Sequence, residues 1–156
     1  MADVAGALLW QAANGWQRAA QAALLPRKLT YVQALLLMAL ADRIADGAAT
    51  TQVELARHAR ADVMMTSQIL RVLERRRLVT RSNVEGDARA RRVLLTPAGE
   101  AAVAGARAAL ADAMASFFAP LGADRGAFAA ALGRLIGVRV RLRVPSTSTA
   151  LENVRA

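Results

Sequence analysis

The 156-residue chain contains no cysteine, a single histidine (His58) and a single lysine (Lys28). Without cysteine there is no disulfide, no thiolate metal site and no thiol redox sensor. Metal sites and Ser–His or Cys–His catalysis draw on His, Cys or clustered carboxylates, so no enzyme, cofactor or metal centre of those kinds is expected. Aromatic residues are few: three Phe, two Trp and one Tyr. No uninterrupted apolar run reaches the ~18 residues of a membrane span. The richest stretch, 101–123, is broken by Arg107 and Asp112. The start, Met1-Ala2-Asp3-Val4, lacks the basic region of a signal peptide. The expectation is a cytoplasmic protein with no membrane partner.

Alanine and arginine fill the space. There are 38 alanines, about a quarter of the chain, and 20 arginines. Alanine favours helix and close helix packing but buries little area. The composition therefore predicts a mainly helical protein whose core is completed by pairing with a second copy. The net charge is +9 and unevenly placed. Residues 71–92 hold eight Arg against Glu74, Glu85 and Asp87, and residues 134–156 hold five Arg against Glu152. Concentrated arginine within a folded region is the electrostatic footprint of a polyanion-binding surface, or otherwise a solvated basic face.

Periodicity and end signals order the elements. Residues 4–25 read as a long helix with Gly15 as its weak point, ended by Pro26 because the residue before proline avoids the helical region. Thr30-Tyr31-Val32-Gln33 is a capping box opening a leucine-rich helix to Ala45, which stops near Gly47. Thr51-Gln52-Val53-Glu54 is a second box, opening a short helix to about Ala59. Asp62 is the N-cap of a helix to about Arg76. Its inner face is predicted to be Met65, Thr66, Ile69, Val72 and Leu73, and its outer face Val63, Met64, Ser67, Gln68, Arg71 and Arg75. Residues 78–81 and 92–95 read as strands around a polar hairpin tip at 83–90. Thr96-Pro97 starts an alanine-rich helix to about Phe118. Pro120 and Gly122 break it, and Asp124 caps a last helix from Arg125 to about Ile136. Residues 138–144 alternate arginine with apolar residues, as an edge strand or a disordered basic tail.

A short helix, a tight turn and a second helix with a polar free face follow helix-turn-helix logic, and the basic hairpin behind them makes a winged helix. A helix fits the major groove and presents donors and acceptors to base edges. The set expected to meet DNA is Met64, Thr66, Ser67, Gln68, Arg71 and Arg75, with Thr66 counted on the inner face as well. Gln68 can pair bidentately with adenine, and Met64 can meet a thymine methyl. The hairpin offers Arg89 and Arg91 to the narrower groove. Arg75, Arg76 and Arg77 are phosphate clamps or a solvated helix end.

The stretch 29–99 resembles the MarR (multiple antibiotic resistance regulator) family of bacterial transcription factors. The residues that carry it are TQVELARHA at 51–59, SQILRVLERRRLV at 67–79, Asp87-Ala88-Arg89, and LTPAGE at 95–100. The resemblance implies a homodimer. A dimerisation helix (1–28), a winged helix-turn-helix lobe (29–96), C-terminal dimerisation helices (97–137) and a basic tail (138–156) would follow in order. It implies helix 62–76 in the major groove of a pseudo-palindromic operator and wing 83–91 at the minor groove, with Asp87 bracing the wing and Arg89 on DNA. It implies a repressor released by a small aromatic or phenolic ligand, with Trp16 and Tyr31 as candidate pocket residues. The alternative is a DNA-binding protein of the same fold acting without a small-molecule switch, constitutively or architecturally. Two residues depart from the family pattern: Arg77 and Arg60 stand where glycine is usual. The lack of cysteine excludes the cysteine-based peroxide-sensing branch.

Overall fold

A computed structural model describes residues 4–84 and 87–138, except the side chains of 84 and 87–90. The element order is α1 (Val4–Leu24), α2 (Tyr31–Ala45), α3 (Gln52–Ala59), α4 (Val63–Arg75), β1 (Val79–Val84), β2 (Asp87–Leu95), α5 (Pro97–Phe118) and α6 (Arg125–Leu135). Short 3-10 turns at Leu25–Arg27 and Ala119–Asp124 follow α1 and α5. The chain is mainly helical with one two-stranded antiparallel sheet, as the composition and pattern predict. It forms two compact units, Met1–Phe117 and Phe118–Ala156. The alternating segment 139–144, expected as edge strand or tail, lies outside the described residues.

The helix starts follow their local signals. Thr30 Oγ1 accepts from the Gln33 amide at 3.2 Å while Gln33 Oε1 accepts from the Thr30 amide at 3.1 Å. Thr51 and Glu54 make the same reciprocal pair, and the Glu54 carboxylate also accepts from the Thr51 hydroxyl at 2.9 Å. Asp62 Oδ1 accepts from the Met65 amide at 2.8 Å, and Thr96 Oγ1 from the Gly99 amide at 3.0 Å. Each satisfies a helix-start N–H that has no partner inside its own helix. Asp124 is different: its backbone is already helical (φ −78°, ψ −6°) and its side chain makes no cap. A capping side chain must leave from an extended backbone to reach the N3 amide, and the 3-10 turn before α6 removes that geometry.

α2 is the central element of the first unit. Leu36, Leu37 and Leu40 are fully buried among Ala20 and Leu24 of α1, Leu55 of α3, Leu70 and Leu73 of α4, and Val103, Ala106 and Leu110 of α5. Gly15 is no break in α1; a side chain there would press within 3.3 Å of the Phe117 ring. Gly99 is required for a close approach, because a Cβ would collide with the Leu78 carbonyl. An 18-residue window within Pro97–Leu135 reaches a mean hydropathy of 1.2, long and apolar enough by composition to cross a membrane. That value reflects alanine, and α5 packs Val103, Ala106 and Leu110 into the core and pairs Arg107 with Asp42 of α2.

The strands run longer than the turn signals suggest. β1 and β2 pair from Val79↔Leu95 to Asn83↔Arg91, then shift register to Val84↔Asp87. Backbone expected at the hairpin tip (83–90) is therefore largely strand. A further link has no pattern in the sequence: Thr51 bridges Arg92, and the Val93 amide donates to Thr50 O at 2.8 Å. The wing is thus tied to the start of α3. In the second unit, α6 ends at Leu135, with Gly137 in the left-handed region. Phe118 and Phe128 pack at 6.2 Å between ring centroids, with the Arg125 guanidinium over Phe118.

Candidate nucleic-acid interface

α3, the turn at 60–62 and α4 form the helix-turn-helix. Arg60 sits in the left-handed region at φ 52°, the conformation in which glycine is usual. On α4 the buried stripe is Thr66, Leu70 and Leu73, with Ile69 and Val72 half-buried beside it. Leu70, placed on neither face from sequence, is fully buried, and Met65, expected inside, is 38% exposed. Thr66 is corrected: it is fully buried and its hydroxyl donates to Asp62 O at 2.8 Å, so it cannot reach a groove. A threonine hydroxyl can satisfy itself on the carbonyl four residues back, which lets it sit on the inner stripe with the leucines.

The opposite face is open. Met64 is 73% exposed, Gln68, Arg71 and Arg75 are exposed, and Ser67 is half-buried. Among the described residues none of these five side chains is hydrogen-bonded or ion-paired. Four polar groups and a thioether lie along three turns of one helix, all still to be engaged.

The base of the wing is held firmly. Arg81 of β1 forms an ion pair with Glu74 of α4 through Nη2, and its Nε donates to the same carboxylate oxygen at 3.0 Å. The hydrogen bond from Arg81 pushes the Glu74 carboxyl below its ordinary value. Glu74 is thus neutralised within the fold and does not oppose Arg71 and Arg75 on the free face. Arg77 holds φ 58°, closing α4 with the Leu78 amide donating to Leu73 O at 2.9 Å. The Thr96 hydroxyl donates to Arg77 O at 2.7 Å. Arg91 is exposed on β2; Asp87 and Arg89 lie outside the residues whose side chains are described.

Arg76 departs from the expectation of a phosphate clamp or free helix end. Its Nη1 donates to Lys28 O at 2.8 Å and to Gln33 Oε1 at 3.3 Å. Trp16 and Tyr31 pack edge to face at 4.8 Å, both half-buried, and burial raises the Tyr31 phenol above its ordinary pKa. Neither lines the open cleft of about 360 Å³ formed by Leu35, Met38, Ala39, Asp42, His58, Ala59, Arg60 and Arg107. Sequence reasoning did not find that cleft, whose walls join the consecutive helices α2 and α3 to Arg107 of the distant α5.

Comparison with known proteins agrees with this geometry. The chain superposes on Bordetella bronchiseptica BpsR with a TM-score of 0.74 and 26% identity, covering 85% of this chain and 98% of that one. It superposes on a mutant of Escherichia coli MarR solved with operator DNA at a TM-score of 0.71 and 24% identity, covering 84% and 91%. The chain has the winged helix-turn-helix fold of these MarR-type proteins. The structure of BpsR concerns regulation of its DNA binding by 6-hydroxynicotinic acid. In sequence, the chain is 39% identical over 94 residues to an uncharacterised HTH-type transcriptional regulator of Bacillus subtilis, YdcH. The match spans 60% of this chain and 64% of that relative's length. That relative is by name a regulator of transcription. No family model matches the chain.

Proposed function

We propose that the protein is a sequence-specific DNA-binding transcriptional regulator that works in the cytoplasm as a homodimeric repressor. The observation that carries this is the free face of α4: Met64, Ser67, Gln68, Arg71 and Arg75 on a helix whose opposite face is locked into the core. Such a helix fits the major groove. Gln68 suits adenine, Ser67 can donate or accept, Met64 suits a thymine methyl, and Arg71 and Arg75 suit guanine or phosphate. On this reading Arg89 and Arg91 meet the adjacent minor groove and Asp87 braces the wing. BpsR and the MarR mutant both bind DNA, which supports the reading.

The dimer reading rests on the amino-terminal half of α1, where Val4, Leu8, Leu9 and Trp10 are all exposed. Apolar side chains gathered in this way mark a surface that meets another protein. The working division is 1–28 and 97–137 for dimerisation, 29–96 for DNA, and 138–156 as a basic tail. A pseudo-palindromic operator follows from two-fold symmetry. Release by a small effector is part of the proposal. The cleft between α2, α3 and α5 has an apolar floor and carries Asp42, His58, Arg60 and Arg107, which suits a small aromatic acid or phenol.

The test is binding of the purified protein to the DNA upstream of its own gene and to random DNA at two salt concentrations, followed by titration of aromatic acids and phenols into the complex. Preference for the upstream DNA that survives the higher salt is expected. Equal, salt-labile binding to both DNAs, with no preferred sequence from a random pool, would contradict it. A specific complex that no such compound dissociates would leave the regulator and remove the switch.

A further inference from the structure

The last turn of α4 does something its exposed arginines do not advertise. Arg76 caps that helix, and its guanidinium reaches back 48 residues to Lys28 O and 43 residues to Gln33 Oε1. Both acceptors belong to the joint between α1 and α2. Lys28 closes the 3-10 turn after α1 in a left-handed conformation (φ 54°), and Gln33 is the reciprocal member of the α2 capping box. Gln21 of α1 holds the same joint from the other side, donating to Leu29 O and accepting from the Tyr31 amide, each at 3.2 Å. Trp16 braces Tyr31 edge to face. Arg27 lies against Gly105 of α5, where a Cβ would collide with its guanidinium. The joint is therefore gripped by α1, α4 and α5 together.

We propose that Arg76 is a positioning residue that transmits the orientation of α1 to α4, and so sets the separation of the two reading helices in the dimer. The inference rests on the DNA-reading dimer proposed above. Arginine suits the role because its planar guanidinium presents donors in fixed directions, and here one nitrogen, Nη1, serves both acceptors at once. The sequence run Arg75-Arg76-Arg77 thus divides into unlike functions. Arg75 stands free on the DNA-facing side, Arg76 grips the α1–α2 joint, and the Arg77 backbone turns the chain into the wing.

A phosphate contact and a strut give opposite signatures. The probe is a duplex selected from a random pool by the wild-type protein, together with the same duplex carrying one extra base pair between its half-sites. The variants are Arg76→Ala, Arg76→Lys and Arg75→Ala. Affinity is measured against salt, and amide hydrogen exchange at Leu29, Tyr31 and Gln33 is measured on DNA-free protein. Arg76→Ala is expected to speed exchange at the joint and to leave the salt slope unchanged. It should reduce discrimination between the two duplexes by roughly tenfold, within the range that mutations along a coupling path produce. Arg76→Lys, which keeps the charge and N–H donors but loses the planar guanidinium, should restore part of the discrimination. Arg75→Ala should lower the salt slope by about 1 and leave exchange at the joint unchanged. An Arg76→Ala protein with a lowered salt slope, unchanged exchange and unchanged discrimination overturns the proposal. If the wild-type protein prefers no spacing, the DNA-reading dimer fails, and exchange still judges the joint. Acceleration in Arg76→Ala upholds the strut, and an unchanged rate overturns it.

Discussion

The winged lobe and the amino-terminal half of α1 are both rich in apolar residues, yet they use them in opposite ways. In the lobe, Leu36, Leu37, Leu40, Leu55, Leu70 and Leu73 are fully buried, and the starts of α2, α3, α4 and α5 are each capped by a side chain. In α1, Leu8, Leu9 and Trp10 face solvent, and Trp10 is 71% exposed. The lobe buries these six leucines within one chain and leaves Met64 open on the free face of α4. The start of α1 carries hydrophobic surface that gains from burial only against something further. Reading DNA needs the first property, because a groove-binding helix must be held rigidly. Pairing two such helices at a fixed distance needs the second.

The difference is broken most forcefully at α1. Replacing Leu9 and Trp10 together by Glu would place unpaired carboxylates in the proposed dimer face, each costing about 3–5 kcal/mol. Sedimentation equilibrium should then report monomers, and a dimer of unchanged affinity would place the interface elsewhere. In the lobe, Leu73→Ala should lower unfolding free energy by about 2–5 kcal/mol in urea titration, since a fully buried leucine leaves a cavity. A loss well under 1 kcal/mol would mean that α4 is not packed as described. Gly99→Ala should cost about 1–3 kcal/mol, because a methyl group at that position meets the Leu78 carbonyl and forces α5 away from the wing. Arg77→Gly should act in the other direction, stabilising by about 1 kcal/mol by relieving a left-handed cap, so a fall in melting temperature would argue against that conformation.

The smallest effect is a pH dependence at the second capping box. Hydrogen bonds from the Thr51 amide and hydroxyl hold the Glu54 carboxyl below its ordinary value of 4.5. A folded-state pKa below the unfolded one contributes stability above the unfolded value, and that contribution is lost as pH falls through the folded value. Glu54→Gln keeps a capping partner without the titration, so the mutant's stability should fall less steeply than wild type below about pH 4.5. Parallel curves for the two proteins would show that Glu54 titrates alike in both states.

What the sequence disclosed follows from the range of each interaction. The two capping boxes and the Asp62 and Thr96 caps are readable because their partners lie three residues apart. The left-handed turns at Arg60 and Arg77 show as departures from a glycine pattern, whereas the one at Lys28 carries no such signal. Thr66 reads as a DNA contact because a hydroxyl suits a groove as well as it suits the carbonyl of Asp62, and only its packing decides between them. The predicted hairpin tip is longer than the turn because Gly86-Asp87 and the charges around it signal a loop, while β2 already begins at Asp87 with a register shift. The bridge from Thr51 to Arg92, the cleft at His58 and the grip of Arg76 on Lys28 are contacts between distant segments, which no local pattern encodes.

Gln68 shows whether the free face of α4 reads bases. Affinities of wild-type and Gln68→Ala protein should be compared on the selected operator, on operators altered one base pair at a time, and on random DNA. Gln68→Ala is expected to lose about 1–3 kcal/mol on the operator, to relax preference at one position per half-site, and to leave binding to random DNA unchanged. An equal loss on every duplex, or no loss on the operator, would contradict it.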